Sequence, residues 1–213
     1  LFWKPDGTRL YIVGFSGDDV NEYHCSTAYD ITTATFNQAA SVSGGGGNPS
    51  GIVFRDDGLR FYTCRAAAVD EFRLTTAWDV STSSYEASTS VSANAAVGLA
   101  FKPDGTRFFV CQGSQSNPNN RKTLQYDLST AWDITTSSYA GITGGNGPLR
   151  QTGMAVSNDG TRMFISNQYG QLVSYAFSTP WDLTAKSGTA SGNTSSQIGQ
   201  CAISFSPDGS KFY

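Results

Sequence analysis

The chain has 213 residues and a formal net charge of −3; 15% of its side chains are charged and 13% are aromatic. This sparse, slightly acidic charge carries no basic footprint for nucleic acid, and no apolar run approaches the roughly twenty residues that span a bilayer. Ser, Thr, Gly, Asn and Gln fill the polar positions in place of Lys and Glu, a composition that suits an extracellular or virion-surface protein.

The chain opens on Leu1-Phe2-Trp3, which has strand character, and then turns through Lys4-Pro5-Asp6-Gly7-Thr8. That phrase returns about every fifty residues. Its copies are Arg55-Asp56-Asp57-Gly58-Leu59, Lys102-Pro103-Asp104-Gly105-Thr106, Ser157-Asn158-Asp159-Gly160-Thr161 and Ser206-Pro207-Asp208-Gly209-Ser210. Each copy separates two apolar runs, so each reads as the tight turn of a β-hairpin. Pro presets φ before such a turn, and Gly accepts the positive φ that other residues resist.

Within one repeat the order of elements is constant. A first strand such as Gly51-Ile52-Val53-Phe54 precedes the turn, and a second such as Phe61-Tyr62-Thr63-Cys64 follows it. Both are apolar nearly throughout, which predicts that both of their faces are covered. The third strand carries a central aromatic in every copy: Tyr23, Phe72, Tyr126 and Tyr175. A second repeated phrase follows it: Ala28-Tyr29-Asp30, Ala77-Trp78-Asp79, Ala131-Trp132-Asp133 and Pro180-Trp181-Asp182. Its ring is expected to cover the rim between units, and its Asp to fix a short turn through backbone N–H groups. The fourth strand, around 36–42, 85–91, 139–143 and 186–190, is polar and small, as an outer edge should be.

Cys25, Cys64, Cys111 and Cys201 have no C-x-x-C spacing. Cys64 and Cys111 share a repeat position with Gly14 and Ser166, so they read as small packing residues and not as a redox or zinc pair. His24 is the single histidine, which rules out a multi-histidine metal site. No G-x-S-x-G elbow is present. The run from Gly44 to Gly47 is followed by no lysine or helix signal and reads as a flexible connection.

These observations define an all-β protein, a β-propeller of four-stranded antiparallel blades of about fifty residues each. The expected blades are 1–43, 50–91, 97–143 and 152–191, with a partial fifth at 201–213. The phrase Leu99-Ala100-Phe101-Lys102-Pro103-Asp104-Gly105-Thr106-Arg107-Phe108-Phe109-Val110 resembles the S-P-D-G-x-x-hydrophobic repeats of the YVTN/TolB/WD40-like propeller superfamily. The second and fourth turns depart from it, with Arg55-Asp56 and Ser157-Asn158 in place of the x-Pro pair. Both chain ends fall inside a repeat, so the chain is expected to be a piece of a longer secreted or virion-surface protein. An open arc of blades exposes two apolar flanks, which predicts a homodimer that closes the ring.

In a propeller the turns between strands one and two, and three and four, share one face. Those turns are uniform here, so recognition is expected on the opposite face, where the loops differ from blade to blade. The candidate ligand-binding residues there are Asp18, Asp19, Arg65, Gln115, Arg121, Arg150, Asn167 and Tyr169. No metal, cofactor or catalytic residue is assigned, and the expectation is a non-catalytic binding or adhesion module with a protein or glycan partner. The alternatives are a structural scaffold without a small ligand, or a propeller enzyme of the lactonase or quinoprotein kind, which the superfamily resemblance implies.

Overall fold

The computed structural model describes residues 1–14, 16–93, 95–113, 122–144, 151–167, 169–193 and 202–205. Among these, sixteen strands form four antiparallel four-stranded sheets, each a meander in chain order. Blade one holds β1 (Phe2–Trp3), β2 (Arg9–Gly14), β3 (Asp19–Cys25) and β4 (Ala34–Ser41). Blade two holds β5 (Gly51–Phe54), β6 (Arg60–Arg65), β7 (Ala68–Leu74) and β8 (Ser83–Ser90). Blade three holds β9 (Ala96–Phe101), β10 (Arg107–Gln112), β11 (Lys122–Leu128) and β12 (Ser137–Gly144). Blade four holds β13 (Gln151–Val156), β14 (Arg162–Asn167), β15 (Gln171–Phe177) and β16 (Lys186–Asn193). Innermost strands pack on one another from blade to blade, β5 on β9 and β9 on β13. The four-bladed, all-β propeller expected from the repeat is therefore present.

The two repeated phrases prove to be one device. In blade three, Gly105 N–H donates to Lys102 O at 2.8 Å to close the hairpin turn. The Asp104 carboxylate accepts from Thr106 N at 3.0 Å and from the Thr106 hydroxyl at 2.6 Å. Gly105 has φ +71°, and a Cβ placed there would lie inside the Trp132 indole. The glycine is thus required twice, by its backbone conformation and by the ring laid across it. Trp132 N–H in turn donates to Gly105 O at 2.9 Å. The Asp133 side chain then accepts from Thr135 N and starts the 3₁₀ turn Ile134–Thr136. Tyr29 on Gly7, Trp78 on Gly58 and Trp181 on Gly160 repeat the arrangement.

The seams between blades also repeat. Tyr11 packs on Phe54 with ring centroids 4.4 Å apart, and Tyr62 packs on Phe101 at 4.6 Å. Their hydroxyls donate to Trp78 O and Trp132 O, both at 2.7 Å. At the third seam Phe109 has no hydroxyl, and Arg107 Nη1 donates to Trp181 O at 2.6 Å instead. Farther out, Glu22 Oε2 accepts from Val80 N at 3.4 Å, and Gln125 Oε1 from Leu183 N at 2.9 Å. Each fully buried ring removes enough apolar surface to contribute about 2 kcal/mol, so the aromatic pairs dominate the seams and the hydrogen bonds fix their register.

Glu22 is buried with Arg9 Nη1 at 3.0 Å, Gln38 Nε2 at 2.8 Å and His24 Nε2 at 2.8 Å. His24, partly exposed on the inner strand β3, thus has a structural carboxylate of its own strand as its partner. Cys25, Cys64 and Cys111 are buried free thiols. Burial pushes the Cys64 thiol up to about 11 and raises that of Cys111 as well, so both stay protonated and unreactive at neutral pH. Cys201 lies outside the described residues.

Candidate functional site

The face opposite the Asp-Gly turns is built from side chains that appear once each. Its best-defined feature lies where the connection between blades one and two crosses the β6–β7 hairpin. Val69-Asp70-Glu71 places two adjacent acids on opposite faces of β7. Glu71 is buried and meets Arg60 of the neighbouring strand β6; burial raises its carboxyl above the ordinary range, against the pull of the Arg60 guanidinium. Asp70 turns the other way and is buried. It accepts from Arg65 Nε at 2.7 Å and from Arg65 Nη2 at 3.4 Å. Arg65 itself keeps part of its surface in solvent, and its Nη1 has no hydrogen-bond partner among the described residues.

Two glycines of the run Gly44 to Gly47 lie directly against this pair. A Cβ on Gly45 would stand 2.7 Å from Asp70 Cγ, and one on Gly46 would stand 2.9 Å from Arg65 Cζ. A Cβ on Gly47 would stand 2.8 Å from the Asp18 carboxylate, which accepts from Asn48 N. Gly45 and Gly47 are buried, and Ser43–Gly45 forms a 3₁₀ turn. The reading of this run as a flexible connection is corrected: Gly46 and Gly47 have positive φ, and the Asp70, Arg65 and Asp18 side chains close on the backbone of Gly45, Gly46 and Gly47.

The structure therefore brings Asp18 and Arg65 to one loop, Asp18 as a backbone anchor and Arg65 as a held cation. Asp19 is next to them at the start of β3 and accepts from Asn21 Nδ2 at 2.8 Å. Asn167 and Tyr169 belong together in the β14–β15 hairpin. Asn167 is buried, its Oδ1 accepting from Tyr169 N at 3.0 Å and Gln171 N at 2.9 Å, while the Tyr169 ring is exposed. Gln115, Arg121 and Arg150 lie outside the described residues. Asp70 is a site residue that the sequence pattern did not single out; adjacent acids in a strand were the signal for it. Gln112 and Gln151 are two further buried amides at this end of blades three and four, with Cys111 Sγ 2.8 Å from Gln151 Oε1. Among the described residues no group of three His, Cys, Asp or Glu side chains is placed to hold a metal ion.

No protein-family model matches the chain. No curated protein sequence matches it either. Solved structures do. A periplasmic gluconolactonase from Pseudomonas aeruginosa superposes with a TM-score of 0.60 at 17% identity, over 93% of this chain and 53% of its own. A candidate 6-phosphogluconolactonase from Bacteroides fragilis superposes with a TM-score of 0.56 at 13% identity, over 92% of this chain and 52% of its own. A functionally unknown protein from Desulfotomaculum acetoxidans gives a TM-score of 0.56 at 17% identity, over 89% and 59%. The chain thus spans somewhat more than half the length of these proteins. At such identities the likeness is one of fold.

These superpositions correct the expectation that the chain is not an enzyme. Two of the three structures carry lactonase names, so this architecture houses catalysts and gives no ground for excluding catalysis. The physical reason is that propeller loops converge from blades about fifty residues apart in sequence, so a site can form with no local motif to betray it.

Proposed function

We propose that the chain is the greater part of a sugar-lactone-processing propeller, with its substrate on the face of individual loops and Arg65 as an anion anchor. The observation that carries this reading is the Arg65–Asp70 pair. A buried carboxylate holds the guanidinium by two N–H groups, so its remaining donors are presented at little further entropic cost. Hydrolysis of an aldonolactone adds water across the ring ester. The acyl C–O bond breaks, the ring oxygen leaves as a hydroxyl, and the new carboxylic acid releases a proton at neutral pH. The product is a polyhydroxy carboxylate, which a held guanidinium suits. The lactonase names of the superposed structures support the same substrate class. The turn phrase supports membership of the YVTN/TolB/WD40-like repeats, and its spacing supports blades at 1–43, 50–91, 97–143 and 152–191 with a partial unit at 201–213.

The test is a titration of the whole chain with 6-phosphogluconate followed by amide chemical shifts, beside a pH-stat assay on 6-phosphogluconolactone and δ-gluconolactone. Expected are shifts at residues 44–48 and 65–70 and a weakening of about tenfold in Arg65→Lys, which keeps the charge and loses the fork, a change of about 1.4 kcal/mol. Absence of shifts at about 10 mM, well above a millimolar Kd, or shifts indifferent to Arg65→Lys, would end the anchor assignment.

A further inference from the structure

Tyr85 belongs to the outer strand β8, yet it meets the same glycine run that lies against Arg65 and Asp70. A Cβ on Gly44 would stand 3.0 Å from Tyr85 Cβ, two residues before the one on Gly46 would meet Arg65 Cζ. Two residues span at most about 7 Å of backbone, so the tyrosine and the guanidinium flank one short piece of chain. The Tyr85 ring is 45% exposed but held, standing edge-on to Phe72 with centroids 5.9 Å apart and planes at 71°. A ring at this place is a repeat feature, since Phe36 and Tyr139 cap Tyr23 and Tyr126 in the same way. Its surroundings are not repeated. Blade three keeps Tyr139, 53% exposed, but has Gln112 where Arg65 stands and Leu124 where Asp70 stands. Blade one has Asn21 at the Asp70 position. Blade four has Val173 there, and Gly188 in place of the ring. Blade two therefore combines a held ring, a held cation and a glycine backbone, with the exposed Ser41 and Ser43 hydroxyls, 2.9 Å apart, beside the run.

We propose that Tyr85 is the specificity-determining platform of this site, a step that rests on the reading of Arg65 as an anion anchor. The ligand is a polyhydroxylated carbon skeleton carrying one acidic group, an aldonate or a sugar phosphate. Its C–H groups lie on the Tyr85 ring while its acidic group meets the guanidinium. The chemistry of the two partners matches this division. An aromatic face carries negative charge density, which suits the weakly positive C–H hydrogens of a sugar, whereas the free N–H groups of Arg65 suit an anion. A few polar groups set around an aromatic surface are the usual composition of a small-ligand site. The Ser41 and Ser43 hydroxyls can then bond the ligand's own hydroxyls. Because Phe72 already fixes the Tyr85 ring, little side-chain freedom is lost on binding. A neutral lactone can use the ring alone, and a phosphorylated one can use the ring and the guanidinium together, so the pair selects for the charged substrate.

The test measures the Kd for 6-phosphogluconate from amide shifts of the whole chain in three further variants, Tyr85→Ala, Tyr85→Phe and Tyr139→Ala, beside Arg65→Lys. Tyr139→Ala removes the same edge-on ring from blade three and so controls for lost packing; the two alanine variants should lose Tm alike. Expected is a weakening of about tenfold in Tyr85→Ala, with Tyr85→Phe within about twofold of the parent and Tyr139→Ala unchanged. If Tyr85→Ala binds as the parent does while Arg65→Lys still weakens binding, the platform is overturned and the anchor stands. If Tyr139→Ala weakens binding as much as Tyr85→Ala, the effect is one of packing, and the platform is again overturned. If the parent shows no shifts at residues 44–48 and 65–70, the anchor reading itself fails and takes the platform with it.

Discussion

The two ends of the blades are held together by different kinds of information. At the Asp-Gly end one solution is used four times: a turn glycine, an aromatic laid on it, and an Asp that starts the next 3₁₀ turn. At the other end each described loop has its own fastening. The β2–β3 loop uses the Asp18 carboxylate on Asn48 N, the β6–β7 hairpin uses the Arg65–Asp70 pair, and the β14–β15 hairpin uses the Asn167 side chain. Repetition serves stability, because every copy must satisfy the same seam. Individual fastening leaves each loop free to differ in what it shows to solvent, which is where selectivity can reside.

The sharpest way to break this contrast is at the repeated end. Gly105→Val forces a β-branched residue to φ +71° and drives its side chain into the Trp132 indole. Backbone strain and overpacking together should cost about 3 kcal/mol or more, read from urea unfolding. Because both groups share one contact, Trp132→Ala should be less damaging in the Gly105→Val background than in the parent. A Gly105→Val chain that unfolds at the parent urea concentration would dissolve the paired-turn account, and with it the contrast.

The opposite end should respond more weakly and more locally. Gly46→Ala meets a φ of +111° and a Cβ 2.9 Å from Arg65 Cζ, but Gly46 lies at the surface, where the guanidinium can give way. A loss of about 1 kcal/mol is expected, with 6-phosphogluconate binding weakened because Arg65 is displaced. A stability loss as large as that of Gly105→Val would show that the two ends are not distinct.

The smallest effect is electrostatic and belongs to the repeated turns alone. In Asp104, slight burial pushes the carboxyl up, but Lys102 and the Thr106 hydroxyl and amide outweigh it and hold the pKa at about 2 against an ordinary 3.8. Asp6 does the same with Lys4 and Thr8. Asp159 is held at about 2 by the Ser157 hydroxyl first and then by Thr161. Folded values below the unfolded ones mean that this stabilisation is complete above about pH 4 and is lost as the pH falls toward 2. Tm should therefore decline across that window, and Asp104→Asn should flatten part of the decline while leaving Tm near the parent's acid-limb value. An unchanged slope in Asp104→Asn would remove the carboxylate from the turn's role.

Much of the fold was legible in the chain because its signals are local. The Asp-Gly turns, the apolar inner strands, the central third-strand aromatics and the polar outer strands each depend on a few consecutive residues, and the period multiplies the signal. Even the outer rings Tyr85 and Tyr139 keep to the repeat, set edge-on to Phe72 and Tyr126 at 5.9 and 5.8 Å. The site was less legible. Asp18, Arg65 and Asn167 were visible as loop residues; Asn167 fastens its own hairpin locally, but the role of Asp18 depends on a contact across 30 residues to Asn48, and that of Arg65 on the face to which Asp70 points.

What the amino-acid sequence determined by itself was the blade: four strands, their order, and the two turns that end them, because hydrogen-bonded hairpins and φ preferences act between residues close along the chain. What only the tertiary structure decided was which distant groups meet, within a blade and between blades. The pairing of the Asp-Gly turn with the aromatic of the following turn, the Tyr hydroxyls on the next blade's Trp carbonyl, and the glycine run closed upon by Asp18, Arg65 and Asp70 all join groups that no local pattern relates. Those groups come together because each blade can bury its faces only against its neighbours, and that packing selects which of many surface side chains become partners.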